Sequence, residues 1–204
     1  ELWFTERGGL VSRVNVETGK VTAIGKVPNV LQRSESGLMG LAFHPDFANE
    51  PWVYFVPSYA AGEPPARGRG RGQQAEVRNR LIRMRYEDGK FTAAETLVDE
   101  IRGAPNHDGA ALTIGPDRFL YMSMGDAGEG DLAQDSLSLN GKILRLTLDG
   151  KPAPGNPFAN AVWSRGHRNP QGLAFHPTTG TLFSAEHGDS TEDEVNRIER
   201  GRNY

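Results

Sequence analysis

Gly40-Leu41-Ala42-Phe43-His44-Pro45-Asp46-Phe47, leading into Trp52-Val53-Tyr54-Phe55-Val56, is a phrase that the chain repeats. It returns as Gly172-Leu173-Ala174-Phe175-His176-Pro177 ahead of Gly180-Thr181-Leu182-Phe183-Ser184. A looser copy, Ala111-Leu112-Thr113-Ile114-Gly115-Pro116-Asp117 ahead of Phe119-Leu120-Tyr121-Met122-Ser123, stands between them. Each copy is an apolar strand, a proline-containing turn and a second strand that carries an aromatic. Copies spaced by roughly 60–70 residues and made only of strands fit four-stranded propeller blades with long connecting loops. An apolar–His-Pro–turn phrase also recurs by chance in β-rich chains, but matched flanks in three copies weigh against that. The expectation is an all-β chain, a β-propeller of which residues 1–204 hold about three blades as one partial domain. Three blades close no ring, so further blades are expected from sequence outside this chain.

Outward from the repeat, strand-like runs alternate with turn chemistry. Leu2–Thr5, Val11–Val16 and Val21–Val27 are separated by Arg7-Gly8-Gly9 and Glu17-Thr18-Gly19-Lys20, and Val11–Val16 alternates with period two. No segment keeps a helical apolar stripe; a short helical turn is expected only over Leu132–Leu139. Glycine (25) and proline (13) together exceed the usual share, as many tight turns require. The net charge of −3 provides no field to hold nucleic acid or an anionic membrane, and no apolar run is long enough to span a bilayer. With no cysteine, disulfides, thiolate metal sites and a thiol nucleophile are excluded. Glu1-Leu2-Trp3-Phe4 reads as the middle of a strand and Asn203-Tyr204 ends without a tail, so the chain reads as a piece of a longer protein. Ala66-Arg67-Gly68-Arg69-Gly70-Arg71-Gly72-Gln73-Gln74 reads as a solvated loop between strands; the alternative is an arginine-glycine RNA-binding stretch.

Three stretches carry chemistry. Pro105-Asn106-His107-Asp108-Gly109 precedes an inner-strand candidate, where segments of a propeller reach the mouth of the central channel; His107 is a candidate general base or a structural loop histidine. Ser164-Arg165-Gly166-His167-Arg168-Asn169-Pro170-Gln171-Gly172 places guanidinium, imidazole and amide groups directly before another inner strand. That density suits multidentate recognition of a polyanionic or carbonyl-rich ligand, or a polar turn that satisfies its own backbone. Glu186-His187-Gly188-Asp189-Ser190-Thr191-Glu192-Asp193-Glu194 is rich in hard oxygen donors, suited to Ca²⁺ or to solvent, and Gly125–Asp131 is a second acidic, glycine-rich loop. No nucleophile elbow, P-loop or dinucleotide fingerprint occurs.

Together these stretches resemble the soluble PQQ-dependent glucose and aldose sugar dehydrogenases, with short loops nearer the aldose branch. The resemblance is carried by Gly37–Phe47, His107-Asp108-Gly109, Leu120–Asp126, Gly141–Leu146, Gly166–Phe175 and Glu186–Tyr204, nearly the whole chain. It implies a six-bladed propeller that oxidises the C1 hydroxyl of aldoses to lactones and passes electrons through PQQ to an external acceptor. It assigns His107 as the base and Arg168 as the group that bonds the quinone oxygens, with Asn169 and Gln171 in the same motif. Glu35 and Asp126 match polar residues near the cofactor. The carbonyls of Gly188 and Asp189 match the holders of a Ca²⁺ on PQQ. Glu194 and the Tyr204 carbonyl match ligands of a structural Ca²⁺.

Departures are expected to matter. Asp189 replaces a usual proline, Ala110 replaces a Gly- or Ser-like neighbour, and Asp131 stands where the glucose branch has a cofactor-contacting glutamine. Basic residues that clamp the PQQ carboxylates lie in later blades, so these 204 residues alone are expected to be inactive. The family is exported, so a periplasmic or secreted location is expected. Two other readings remain: a propeller of the same group that binds ligand or protein without catalysis, and a Ca²⁺-dependent propeller lactonase. Substrate sugar and oligomeric state are not legible in the residues.

Overall fold

A computed structural model describes residues 1–62 and 75–204, which form antiparallel sheets and one short helix. The first sheet holds β1 (Leu2–Thr5), β2 (Leu10–Val14) and β3 (Val21–Lys26); the second holds β4 (Leu38–Phe43), β5 (Trp52–Ala61), β6 (Glu76–Glu87) and β7 (Lys90–Arg102). The third holds β8 (Gly109–Ile114), β9 (Leu120–Met124), β10 (Lys142–Leu146) and β11 (Val162–Arg165); the fourth holds β12 (Pro170–Phe175), β13 (Leu182–Glu186) and β14 (Glu194–Arg197). Helix α1 (Gly130–Gln134) lies between β9 and β10 and meets the expected Leu132–Leu139 turn only over Leu132–Gln134, starting two residues earlier and ending well before Leu139. In every sheet spatial order equals chain order, so each is an up-and-down meander. The three copies of the repeat are the first two strands of the second, third and fourth sheets. The first sheet, whose opening strand Leu2–Thr5 lacks the Phe-His-Pro turn, precedes them. The arginine-glycine stretch lies outside the described residues.

The first strands of successive sheets pack on one another, β4 on β8 and β8 on β12, with β1 against β4. This is the radial arrangement of propeller blades around an axis. Backbones come close enough there that a Cβ on Gly40 would run into the Ala110 carbonyl, which explains the glycine that opens the repeat.

Period-two alternation then sends neighbouring residues of one strand into different cores. From β5, Val53 and Phe55 join Val11, Ile24 and Trp3 between the first and second sheets. Tyr54 and Val56 instead join Leu112, Leu120, Met122 and Leu144 between the second and third. From β9, Tyr121 turns towards Leu182 and Phe175 of the fourth sheet and Ile198 just after it. A strand buried on both faces must be apolar at every position, so Trp52–Val56 shows no polar alternation. The repeated histidines serve turns: His44 Nδ1 accepts the Asp46 N–H at 3.2 Å, and His176 Nδ1 accepts those of Thr178 and Thr179 at 3.3 and 3.2 Å. In the middle copy Asp117 Oδ1 accepts the Phe119 N–H instead.

A candidate active site at one end of the inner strands

The segments leading into β4, β8 and β12 carry Glu35, His107 and Arg168–Asn169 to equivalent places in three blades. They meet. Glu35 Oε2 accepts the His107 N–H at 2.9 Å and the Asn169 Nδ2–H at 3.2 Å, while Asn169 Oδ1 accepts the Gly109 N–H at 3.0 Å. Asn169 is buried and bonds another blade, so this motif is more than a turn that satisfies itself.

Asp126 follows β9 and reaches the same end. Its Oδ1 lies 2.8 Å from His107 Nδ1, with both side chains largely buried. The same oxygen accepts the Gly128 N–H at 2.7 Å, which ties the acidic loop to the histidine. A hydrogen bond from Nδ1–H to the carboxylate fixes the tautomer and leaves the Nε2 lone pair as the basic atom. The backbone of His107 is held at φ +60°, a left-handed conformation that an imidazole residue adopts only when its surroundings impose it. Those surroundings include Gly125, where a Cβ would collide with the His107 carbonyl. The Asp126 N–H also bonds the Arg168 carbonyl at 2.8 Å, joining base loop and guanidinium loop directly.

Arg168 is set by Glu186, His167 and Ser164, and the imidazole that the motif offered for ligand recognition is buried in that brace. Glu186 Oε1 accepts the Arg168 N–H, Glu186 Oε2 lies 2.9 Å from His167 Nδ1, and His167 Nε2 lies 2.8 Å from Ser164 Oγ. Ser164 and His167 are fully buried, and His167 stacks on the Tyr204 ring at 4.8 Å. This serine–histidine–glutamate row has the spacing of a nucleophilic triad but no access, so it works as a brace. The signal was present in sequence as a histidine beside the arginine and a glutamate at the end of β13, where the acidic stretch begins. Their contact required the fold.

The half-exposed Arg168 guanidinium points at the 187–189 turn. Nη1 donates to the His187 carbonyl at 3.0 Å and the Gly188 carbonyl at 2.6 Å, and Nη2 lies 3.6 Å from Asp189 Oδ1. The turn thus presents converging carbonyl oxygens to positive charge, the donor chemistry that a hard cation needs. Gly188 is one of the expected pair; the Asp189 carbonyl is engaged by the Thr191 and Glu192 N–H groups. Among the described residues no three histidine, aspartate or glutamate side chains converge as a metal-binding group. Guanidinium, imidazole and amide at one edge suit the oxygens of a planar quinone, so the residues present fit such a group and a carbonyl-held cation.

Gln171 is exposed and lines a cleft of ≈ 640 Å³ with Thr5, Arg7, Glu35, Met39 and Asp108, beside the inner strands. Asp131 sits in the first turn of α1, and among the described residues its side chain makes no hydrogen bond. Glu194 Oε2 accepts from Asn196 Nδ2 at 2.8 Å, whereas the Tyr204 carbonyl lies against Gly166. A separate cleft of ≈ 620 Å³, between Tyr121, Trp163 and Phe175, holds none of the site residues.

The chain is 36% identical to quinoprotein glucose dehydrogenase B of Acinetobacter calcoaceticus, covering 100% of this chain and 47% of that protein. It is 30% identical to aldose sugar dehydrogenase YliI of Escherichia coli, covering 98% of this chain and 54% of that one. Among solved structures, the PQQ-bound aldose sugar dehydrogenase of Streptomyces coelicolor superimposes with a TM-score of 0.86 at 38% identity, covering 99% of this chain and 57% of that chain. The chain therefore spans about half the length of the curated relatives it matches. The model of the Glucose / Sorbosone dehydrogenase family matches residues 1–204, and the chain belongs to that family.

Proposed function

We propose that this chain forms part of a PQQ-dependent dehydrogenase that oxidises the C1 hydroxyl of aldose sugars to lactones, residues 1–204 being one part of a larger propeller domain. The observation that carries the reading is the His107–Asp126 pair, locked by Nδ1 at 2.8 Å beside the Arg168 loop. His107 Nε2 takes the proton of the C1 hydroxyl, and the Asp126 carboxylate stabilises the imidazolium that results. Glu35 and Asn169 hold the backbone of that base in place. Arg168 supplies positive charge at the edge where negative charge develops. PQQ, held by Arg168 and Asn169 with Gln171, Glu35, Asp126 and Asp131 around it, supplies the two-electron sink when bound, and a Ca²⁺ on the Gly188–Asp189 turn would add Lewis acidity. Glu194 and the Tyr204 carbonyl belong to a second, structural Ca²⁺ completed outside this chain. The same reading includes an external electron acceptor and a periplasmic or secreted setting.

The test is dye-linked aldose oxidation by the full-length protein, stripped with EDTA and then resupplied with PQQ and Ca²⁺. Activity that requires both additions is expected. A folded protein that binds PQQ yet oxidises no aldose would favour a binding propeller instead.

A further inference from the structure

Directly beside the base lies a buried carboxyl group whose hydrogen bonds can be counted. Asp108 is 1% exposed. Its Oδ1 accepts from Asn79 Nδ2 at 2.9 Å and from the Ala104 N–H at 3.1 Å. Asn79 is oriented by Ser58: turned round, its oxygen would face Asp108 Oδ1 and the Ser58 hydroxyl proton, now on Asn79 Oδ1 at 2.7 Å, would be left without an acceptor in a site that is 0% exposed, where Ser58 Oγ already accepts the Gly37 N–H at 3.2 Å. Oδ1 of Asp108 is therefore an acceptor. Its Oδ2 lies 2.7 Å from Ser36 Oγ, and that same Ser36 Oγ lies 2.8 Å from the Ala104 carbonyl. Two oxygen–oxygen contacts need two protons, and a serine hydroxyl has one. The Ala104 carbonyl can only accept, so the Ser36 proton goes there.

We infer that the second proton sits on Asp108 Oδ2, making Asp108 a neutral carboxylic acid that donates to Ser36 and clasps the 104–108 loop carrying His107. The electrostatics agree in direction: burial raises the proton affinity of this carboxyl by more than its contacts with Asn79, Ser36 and the Ala104 N–H lower it, and the neighbouring Glu35 adds a smaller rise. The ionisable groups around it include Glu35, Arg7, His107 and Asp126, with Arg33 bridged to Ser36 through its backbone, and among the described residues no cationic side chain bonds or ion-pairs with Asp108. On β6, Arg78 turns to Glu76 and Glu100, and Arg80 lies over the Tyr59 ring. The protonation stands apart from the quinoprotein reading; its effect on His107 rests on that reading.

Asparagine reproduces the inferred pattern, with one acceptor oxygen and one donor facing Ser36. Stability of the full-length protein is measured against pH for wild type and Asp108→Asn. In the wild type the folded state holds a proton that the unfolded chain releases above the ordinary carboxylate range, so stability falls as pH rises through the window up to the raised folded value. Asp108→Asn matches wild type at the acid end and becomes increasingly more stable than it as pH rises. A variant that is less stable than wild type at neutral pH overturns the inference, since an ionised carboxylate would then be holding the site. Infrared spectra of the wild-type protein at neutral pH supply a second readout: an un-ionised carboxyl carbonyl band, shifted in D₂O and absent from Asp108→Asn, is expected. Absence of that band overturns the inference even where the variant fails to fold. On the quinoprotein reading, Asp108→Ala lowers kcat at least tenfold with little change in KM, and asparagine rescues it; loss of kcat with both variants overturns the neutral-donor role.

Discussion

His107 shows how one residue's chemistry depends on three others. Asp126 sets its tautomer, Glu35 holds its N–H, and Gly125 leaves room for its carbonyl. Replacing the imidazole by an amide removes the proton acceptor and keeps the size. His107→Gln in the full-length protein is expected to lower kcat by ~10²–10⁴ while PQQ still binds. Steady-state kinetics, with cofactor uptake followed by absorbance, check this; a loss below tenfold would move the base elsewhere. His107 and Arg168 were legible as candidates because catalysis limits which side chains can serve. Their braces were not: Glu186, Ser164 and Asn79 are ordinary polar residues until the fold brings them together.

At the scale of the element, α1 and its flanking loop are pinned by an unusual strand residue. Lys142 is wholly buried in β10, and its Nζ donates to the carbonyls of Leu132, Ala133 and Asn140 at 2.8, 2.9 and 2.7 Å. Three acceptors use all three ammonium hydrogens, and two of them are carbonyls of α1, of which that of Ala133 also accepts the Gly166 N–H at 3.0 Å. Burial nevertheless lowers its pKa from 10.5 to about 8. Between those values the unfolded chain holds more protons than the folded one, so this group's contribution to stability rises with pH across that window. Lys142→Met is expected to cost about 3 kcal/mol at neutral pH by stranding the Leu132 and Asn140 carbonyls, and to abolish that rise. Urea unfolding at pH 7.5 and 9.5 checks both; an unchanged pH slope would mean that the amine stays charged throughout. A lysine inside Gly-Lys-Ile-Leu-Arg reads as a solvent-facing strand residue, and only the carbonyls around Nζ show otherwise.

Across the whole molecule, stability comes from cores shared between sheets, so the outermost sheets have partners on one face only. In residues 1–204, Val21 on β3 is 57% exposed and Val195 on β14 is 76% exposed. Both lie on three-stranded sheets whose last strand has an open edge. Such edges pair with any available strand. Residues 1–204 produced alone are expected to self-associate, seen as concentration-dependent species by light scattering, whereas the full-length protein does not at equal concentration. A monodisperse, cooperatively unfolding 1–204 would contradict this account of the cores.

The residues by themselves determined the blade pattern, because a strand buried on both faces and a turn closed by His-Pro or Pro-Asp leave a local mark that repetition amplifies. They also determined which side chains could serve as base and as cationic clamp, since few residue types do either. Tertiary structure alone decided the rest: that Glu35, His107 and Asn169, 134 positions apart at their extremes, share hydrogen bonds, that the Ser164–His167–Glu186 row braces the arginine, and that Asp108 lies where one more proton is needed than its neighbours supply. Hydrogen bonding between side chains depends on ångström distances across blades, and no spacing along the chain encodes those distances.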